Sequence, residues 1–272
     1  MTFSVIISTY NSPQWLQKVL WGYQCQSDGD FEVVIADDGS SGETRELIES
    51  FRVKSDFPVR HVWHEDDGFR KWEIVNRAIE AASGDYLIFT DGDCIPHPDL
   101  VRTHRQHARP GRFLSGGYCK LPMETSKAIT REDIASGRAF TLGWLSRHGY
   151  GFTPKWLKVA APGTAFSGLL NRFTPAAKTF NGNNSSCFKT DALRVRGFDA
   201  RIRYGGGDRE FGYRLQHAGV LPLVIRYSTI CLHLDHPRGY KSAEVRKDNL
   251  AMIDETLKTG RIETEFGIAA RS

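Results

Sequence analysis

The chain has 272 residues, with 36 basic and 32 acidic side chains that leave a net charge of +4. This length is ample for a buried core, and so weak a net charge argues against coating a nucleic acid. The five cysteines are scattered without a CxxC pair, which argues against a disulfide scaffold or structural zinc and favours a reducing compartment. Neither a signal peptide nor an apolar run of the ~20 residues that span a bilayer is evident. We therefore expect a cytoplasmic protein that contacts a membrane at most peripherally, on its cytoplasmic face.

The first hundred residues alternate between strand and helix patterns. Strands are predicted at 3–11, 31–36, 59–63 and 86–89, and helices from residue 13, near 43–51 and at 74–82. Strands that are interleaved with helices imply parallel pairing through right-handed crossovers. The sequence therefore predicts an α/β sheet.

The strand that starts at Tyr86 ends abruptly in two carboxylates, Asp91 and Asp93, which are separated by Gly92. Apolar residues followed at once by acids indicate a buried parallel strand whose carboxyl end reaches the surface, where ligands bind in open α/β sheets. Gly92 allows a sharp turn, so both carboxylates can face one point. Hard oxygen ligands of this kind suit Mg²⁺ or Mn²⁺. The same letters are also typical of a plain Asp-Gly turn.

Polar residues follow other strands of the same predicted sheet. Asp37 and Asp38 are consistent with a turn that caps a helix, or with hydrogen bonds to a nucleotide base or ribose. The basic pair Arg70 and Lys71 follows a turn and is either a diphosphate-binding arm or part of a charged surface loop.

From residue 96 onward the pattern is less regular, with a helix predicted at 97–106, a strand at 113–118, a helix at 190–195 and a strand at 221–227. Residues 122–178 read as a long, weakly patterned loop in which basic residues alternate with aromatic ones, and long loops are commonly functional. These aromatic side chains can stack on sugars, rest on lipid headgroups, or fill the core of a small subdomain. They are Phe140, Trp144, Tyr150, Phe152, Trp156 and Phe166.

Near the C-terminus, three glycines at 205–207 precede Asp208 and Glu210 at the start of a predicted helix. This pattern fits a close-approach loop with a carboxylate at a helix N-terminus, or a purely structural cap. His233 and His236 follow the last predicted strand and are either structural or metal ligands. Residues 241–272 are expected to form a mixed-charge helix and a tail.

Taken together, these landmarks resemble family 2 glycosyltransferases, which are inverting enzymes of the GT-A fold. The resemblance rests on residues 5–11, 33–40, Asn76 with 84–86, 90–93 and 206–208. It implies one mostly parallel twisted sheet flanked by helices, with a GT-A domain at 1–240 and a C-terminal helix and tail at 241–272. The nucleotide-sugar half would be 1–100 and the acceptor half 101–240. Residues 181–215 look like the part shared by galactosyltransferase-like and chondroitin-polymerase-like members.

The resemblance also implies a role for each matched position. The base and ribose of the nucleotide, usually uridine, would be held by Ser8, Tyr10, Asp37 and Asp38. Arg70 would approach the diphosphate, Asp91 would contact the ribose or a metal-bound water, and Asp93 would bind the metal directly. His233 or His236 would add a metal ligand. Asp208 matches the catalytic base; because Gly207 stands where relatives carry the first acid of the motif, Glu210 is the weaker rival.

The expected activity is a Mn²⁺- or Mg²⁺-dependent transfer of a sugar from a UDP-sugar to a hydroxyl of a glycan or lipid-linked glycan, as in polysaccharide, lipopolysaccharide or capsule synthesis. No nucleic-acid partner is expected. One alternative is a non-catalytic carbohydrate-binding or nucleotide-sugar-binding descendant of the fold, which should have lost Asp93 or Asp208. Another is a nucleotidyltransferase, which would normally carry a glycine-rich basic loop after the first strand, where this chain has Ser8 to Pro13.

Overall fold

A computed structural model describes residues 1–153, 155–174, 178–237 and 243–269. The predicted alternation in the first hundred residues is confirmed. Its elements are β1 (Phe3–Thr9), α1 (Pro13–Gln24), β2 (Glu32–Asp37), α2 (Gly42–Lys54), β3 (Val59–Trp63), α3 (Lys71–Ala81) and β4 (Tyr86–Asp91).

The second half mixes shorter strands with many short helices. The next elements are β5 (Cys94–Pro96), α4 (Leu100–His107), β6 (Arg112–Ser115), β7 (Gly117–Lys120), α5 (Met123–Ala128), α6 (Arg131–Ala135), a 3₁₀ turn (Arg138–Phe140) and α7 (Leu142–Arg147). They are followed by α8 (Trp156–Ala160), α9 (Phe166–Phe173), β8 (Ser185–Phe188), α10 (Lys189–Arg194), α11 (Gly207–His217), β9 (Leu221–Val224), β10 (Ile230–His233) and α12 (Ala243–Thr259).

The main sheet has seven strands in the order β3-β2-β1-β4-β8-β6-β9. All its pairs are parallel except those that β8 makes with β4 and β6. Side chains alternate between its two faces: Val5 and Ile7 join the core under α1, whereas Ile6 joins the core under α3. Helices therefore cover both faces of a mostly parallel sheet, which confirms the predicted fold class.

A second sheet of three strands, in the order β5-β10-β7, was not predicted. The prediction of one strand over 113–118 was wrong, because the chain leaves the main sheet between β6 and β7. Gly116 and Gly117 allow this passage: a Cβ at Gly116 would overlap the side-chain amide of Asn184, and one at Gly117 would overlap the carbonyl oxygen of Arg226. The small sheet carries Cys94 and His233 side by side in register.

The prediction of a long loop over 122–178 was also wrong, because its described residues form α5 to α9 and a 3₁₀ turn. Phe140, Trp144 and Tyr150 are buried in the core beside α1, so they are packing residues. Phe152 and Phe166 are exposed. The segment therefore has a buried part and an exposed part.

The predicted boundary between 240 and 241 lies outside the described residues. The described C-terminal segment packs onto the region of α10 and α11: Ile253 is buried, and Ile268 N–H donates to the Arg196 carbonyl at 2.8 Å. Within the described ranges, no helix is both long enough and apolar enough to cross a membrane.

Candidate active site

The carboxyl ends of β1, β2 and β4 meet at one edge of the main sheet, as the sequence predicts. The register places Ser8 beside Asp91 and Thr9 beside Asp37. The Ser8 hydroxyl donates to Asp91 Oδ1 at 2.7 Å. Parallel pairing therefore brings the ends of the first and fourth strands to a common point, although Ser8 and Asp91 are 83 residues apart in sequence.

Two turns above this edge are tied together by Asn11, which adopts a left-handed backbone with φ of 42°. Its N–H donates to the Ser40 hydroxyl, and its side-chain oxygen accepts from Ser41 N–H at 2.8 Å. Asparagine tolerates this conformation better than most residues. The adjacent Tyr10 keeps its ring exposed while its hydroxyl donates to Asp66 at 2.9 Å.

Asp37 and Asp38 are both buried, and each has a histidine partner. Asp37 accepts from Ser40 N–H at 2.9 Å and lies 2.9 Å from His61 Nε2. Asp38 lies 2.8 Å from His64 Nε2, and its second oxygen accepts from Arg70 N–H at 3.1 Å. Burial raises the pKa of Asp38, partly offset by the His64 and Arg70 contacts. Asp37 therefore stabilises its own turn, and Asp38 holds the segment that carries Arg70 through the Arg70 N–H.

The Arg70 guanidinium is engaged by its own helix. It forms a two-point ion pair with Glu73, at 2.9 Å from Nε and 2.7 Å from Nη2. A bidentate pair of this kind holds the guanidinium in a fixed orientation. To bind the diphosphate as predicted, the Arg70 guanidinium therefore has to release Glu73 or contact both groups at once.

Lys71 belongs to the site, although the sequence indicated it only as part of a basic pair with Arg70. Its Nζ lies 2.6 Å from Asp91 Oδ1. Burial lowers the pKa of Lys71, but the negative charges of Asp91, Asp208 and Asp93 outweigh burial and raise it overall. This ammonium therefore lies within electrostatic reach of three of the predicted site carboxylates. The basic pair after the 65–68 turn was the only sequence signal for it.

Asp93, Cys94 and His233 place their ligand atoms within 4.8 Å of one another. His236 Nε2 lies 3.2 Å from Asp93 Oδ2, and the Cys94 thiol donates to the other Asp93 oxygen at 3.3 Å. Burial raises the pKa of Asp93, but its contacts with the two histidines outweigh burial and lower it overall. The structure therefore brings Asp93 together with both predicted histidines.

The donor set of this cluster fits a divalent ion. The Nδ1 atom of His236 faces the carbonyl oxygen of Pro237 at 2.9 Å, so Nδ1 carries a proton. In the neutral ring, Nε2 then points its lone pair toward the Asp93 carboxylate. In the imidazolium form Nε2–H donates to that carboxylate, which is how His236 lowers the pKa of Asp93. Once that proton is displaced, carboxylate and imidazole are a ligand pair that Mn²⁺ accepts.

Asp208 lies at the start of α11, after Gly205 and Gly206, which both have positive φ. Its Oδ2 accepts from Gly182 N–H at 3.1 Å and its Oδ1 from Arg209 N–H at 2.9 Å. Burial raises the pKa of Asp208, and the two N–H groups offset this in part. A Cβ at Gly207 would overlap the Trp72 indole, so the glycine that replaces the usual acid lets this loop pack closely on α3.

Glu210 is fully buried, which is at odds with the catalytic role considered for it. Both carboxylate oxygens are taken by Arg214, at 2.8 Å from Nη2, and the Thr256 hydroxyl also donates to it at 2.9 Å. A proton-transfer group must reach the substrate, and this carboxylate has no exposed surface. The structure assigns Glu210 to the packing of α11 against α12.

A family model, "Glycosyl transferase family 2", matches residues 4–176, which is well over half of the chain. The chain belongs to glycosyltransferase family 2. The predicted family and enzyme class, glycosyltransferase, are thereby confirmed. The Bacillus subtilis glycosyltransferase YfnE is 28% identical over 93% of this chain, which spans 70% of the length of YfnE.

Two solved structures share the fold at low identity. A mannosyltransferase from Pyrobaculum calidifontis, PcManGT, was solved with GDP-Man and Mn²⁺ and matches 94% of this chain with a TM-score of 0.63 and 17% identity. S. aureus TarS 1-349, solved with UDP-GlcNAc, matches 93% with a TM-score of 0.55 and 16% identity. This glycosyltransferase spans 64% of the first of these chains and 65% of the second.

Proposed function

We propose that this glycosyltransferase moves a sugar from a nucleoside diphosphate donor, UDP by expectation, to a hydroxyl of a glycan or lipid-linked glycan. The observation that carries the proposal is the arrangement around Lys71, which puts Asp91, Asp93 and Asp208 within reach of one ammonium. This grouping supports leaving-group and base functions that act on one anomeric carbon. The sugar nucleotides bound by PcManGT and TarS support a donor of this class.

The nucleotide would lie over the edge formed by β1 and β2. The exposed ring of Tyr10 is the surface on which a base can stack, and the anchored turn at Asp38 would set the depth of the pocket. Ser8 and Asp91 would approach the ribose from the end of β4. Arg70 would approach the diphosphate from the segment that Asp38 holds.

Asp93 with His236 and His233 would hold the divalent metal, Mn²⁺ or Mg²⁺. Its chemistry at this point is neutralisation of the negative charge that the diphosphate gains as it leaves. The Mn²⁺ in PcManGT supports this choice. The Lys71 ammonium would have a similar role, since its Nζ lies 2.6 Å from Asp91 Oδ1.

Asp208 would act as the general base. It takes the proton of the acceptor hydroxyl while that oxygen attacks the anomeric carbon and the bond from that carbon to the diphosphate breaks. One displacement of this kind inverts the configuration and needs no covalent intermediate. The N-terminus of α11 and the N–H of Gly182 favour the ionised carboxylate and partly offset the burial that raises its pKa.

The test is release of nucleoside diphosphate from a panel of UDP-sugars and GDP-sugars with Mn²⁺, with and without added glycan acceptors. We expect slow hydrolysis of one donor, and acceleration by the matching acceptor. Tight binding of a nucleotide sugar without any turnover, across all acceptors, would favour the non-catalytic alternative. Five unpaired cysteines, four of them buried, support a reducing compartment, and we propose the cytoplasm as the site of action.

A further inference from the structure

The helix α9 packs onto the protein through its polar side. The Asn171 side chain donates to the Ser228 hydroxyl at 2.8 Å and accepts from Tyr227 N–H at 2.8 Å. The Ser167 hydroxyl lies 3.5 Å from the same Ser228 hydroxyl. A helix on a globular protein normally turns its apolar stripe toward the core. This helix does the reverse, and none of its residues is buried.

The outward side of α9 carries Phe166, Leu169 and Phe173, at the spacing of one helical face. Their side chains are 55%, 49% and 70% exposed. Phe152, which precedes α8, is 83% exposed, and Leu157, in α8, is 52% exposed. We call these five residues the apolar surface. Exposed apolar groups at this density on neighbouring elements mark an interaction site.

The two helices are neighbours because both lie on the turn that follows β9. Lys158 of α8 is close enough to Arg226 for the two charges to repel, and α9 bonds to the next two residues of that turn. Lys158 also lies 5.8 Å from the ring of Tyr118, whose ring centre lies 6.1 Å from that of His233. Lys158, which follows Leu157 of the apolar surface, is therefore connected through the Tyr118 ring to His233 of the candidate site.

The charged residues in the segment that contains α8 and α9 are all basic. From 134 to 190 there is no acidic residue, while seven basic residues occur. They are Arg138, Arg147, Lys155, Lys158, Arg172, Lys178 and Lys189. The remaining 29 basic and 32 acidic residues lie elsewhere, so the net charge of +4 arises entirely from this segment. Its partner is therefore expected to carry negative charge.

We propose that the apolar surface docks on an anionic phospholipid membrane, with its large side chains in the headgroup boundary and the surrounding cations on lipid phosphates. Aromatic and leucine side chains on one helix face, flanked by Lys and Arg, are what an interfacial helix requires. A second copy of this chain is a poorer fit, because Lys155, Lys158 and Arg172, which lie in or directly beside α8 and α9, would repel the same residues of the other copy. The docking would hold the opening of the site at the level of lipid headgroups. It goes beyond the proposed function, since the binding itself needs no transferase activity.

The experiment is sedimentation of the whole protein, without donor, on vesicles of phosphatidylcholine alone and on vesicles with about one third phosphatidylglycerol. We expect at least about tenfold stronger partitioning onto the anionic vesicles, weakening as salt rises from about 0.1 M to about 0.5 M. The double variant Phe166→Ser with Phe173→Ser should lose about tenfold or more. Leu250→Ser with Leu257→Ser, at 44% and 46% exposed positions of α12, is the matched control and should bind like the wild type.

Equal binding to both kinds of vesicle, no binding to either, or an unchanged double variant would each overturn the proposal. Concentration-dependent dimers that disappear in the double variant, without vesicle binding, would instead make this surface a contact between copies. Circular dichroism verifies that the variants are folded. If the double variant fails to fold, the neutralised pair Lys155→Gln with Arg172→Gln provides the same test, and unchanged anionic binding by that pair refutes the proposal. Because no sugar donor is present, failure here leaves the proposed transferase activity untouched.

Discussion

The backbone N–H of Gly182 donates to Oδ2 of Asp208 at 3.1 Å. This bond joins the turn that precedes β8 to the first turn of α11, elements that are 26 residues apart in sequence. It holds the carboxylate where Lys71 also influences it. The orientation of the candidate base is thus set by a backbone group of the turn before β8 and not only by its own helix.

Asp208→Asn should reduce kcat by at least about a hundredfold, because the amide keeps the shape but cannot accept the proton. Nucleotide affinity, measured by calorimetry, should change little. Asp254→Asn, at an exposed position of α12, is the matched control and should retain full activity. A loss of less than about tenfold in Asp208→Asn would assign proton transfer to another group.

Asp93→Asn should weaken Mn²⁺ binding by more than about a hundredfold, since it removes the carboxylate that both histidines face. Electron paramagnetic resonance of free Mn²⁺ gives this value without any assay of turnover. Asp99→Asn, whose carboxylate pairs with Arg102 at 2.8 Å, should leave Mn²⁺ affinity unchanged. Wild-type Mn²⁺ affinity in Asp93→Asn would place the metal elsewhere.

Glu210→Gln should destabilise the protein by about 3–5 kcal/mol, because it leaves the Arg214 guanidinium buried without its counter-charge. Chemical denaturation measures this directly. Glu49→Gln breaks the exposed pair with Arg52 and should cost at most about 1 kcal/mol. A stable Glu210→Gln enzyme that has lost its turnover would restore Glu210 as a catalytic candidate.

His104 should make stability depend on pH. Its ring is buried between Asn184 Oδ1 at 2.8 Å and the Ser186 hydroxyl at 2.7 Å, and burial lowers its pKa to about 4, against 6.5 in an unfolded chain. The unfolded state therefore binds the proton first. The stability that the neutral ring contributes is complete above pH ~6.5 and is lost as pH falls toward ~4, by at most about 1.4 kcal/mol per pH unit.

The measurement for His104 is the difference in free energy of unfolding between wild type and His104→Gln at several pH values. Other titrating groups contribute equally to both proteins, so the difference isolates the imidazole. We expect the wild type to lose its advantage between pH ~6.5 and ~4. Parallel curves for the two proteins over this window would show that the ring does not titrate as its burial requires.

The local patterns of the first hundred residues were enough to predict its strands, its helices and the sheet edge where Asp91 and Asp93 emerge. A buried parallel strand has a continuous apolar run and a helix has its own spacing, so both are visible in the letters alone. The Gly-rich approach to Asp208 was visible for the same reason, since closely packed turns need glycine. The family followed from these motifs in their order along the chain.

Only the tertiary structure decided which charged residues face each other. Glu210 and Asp208 are two positions apart on α11, yet one is sealed against Arg214 and the other is held by Gly182, because successive helix positions point in different directions. Lys71 reaches Asp91, which is 20 residues away, because α3 begins at the edge of the sheet where β4 ends. The buried Trp144 and the exposed Phe173 look alike in sequence. Their exposures differ because α7 packs on the core with its apolar side, whereas α9 packs with its polar side. No local sequence pattern determines which side of a helix faces the core here.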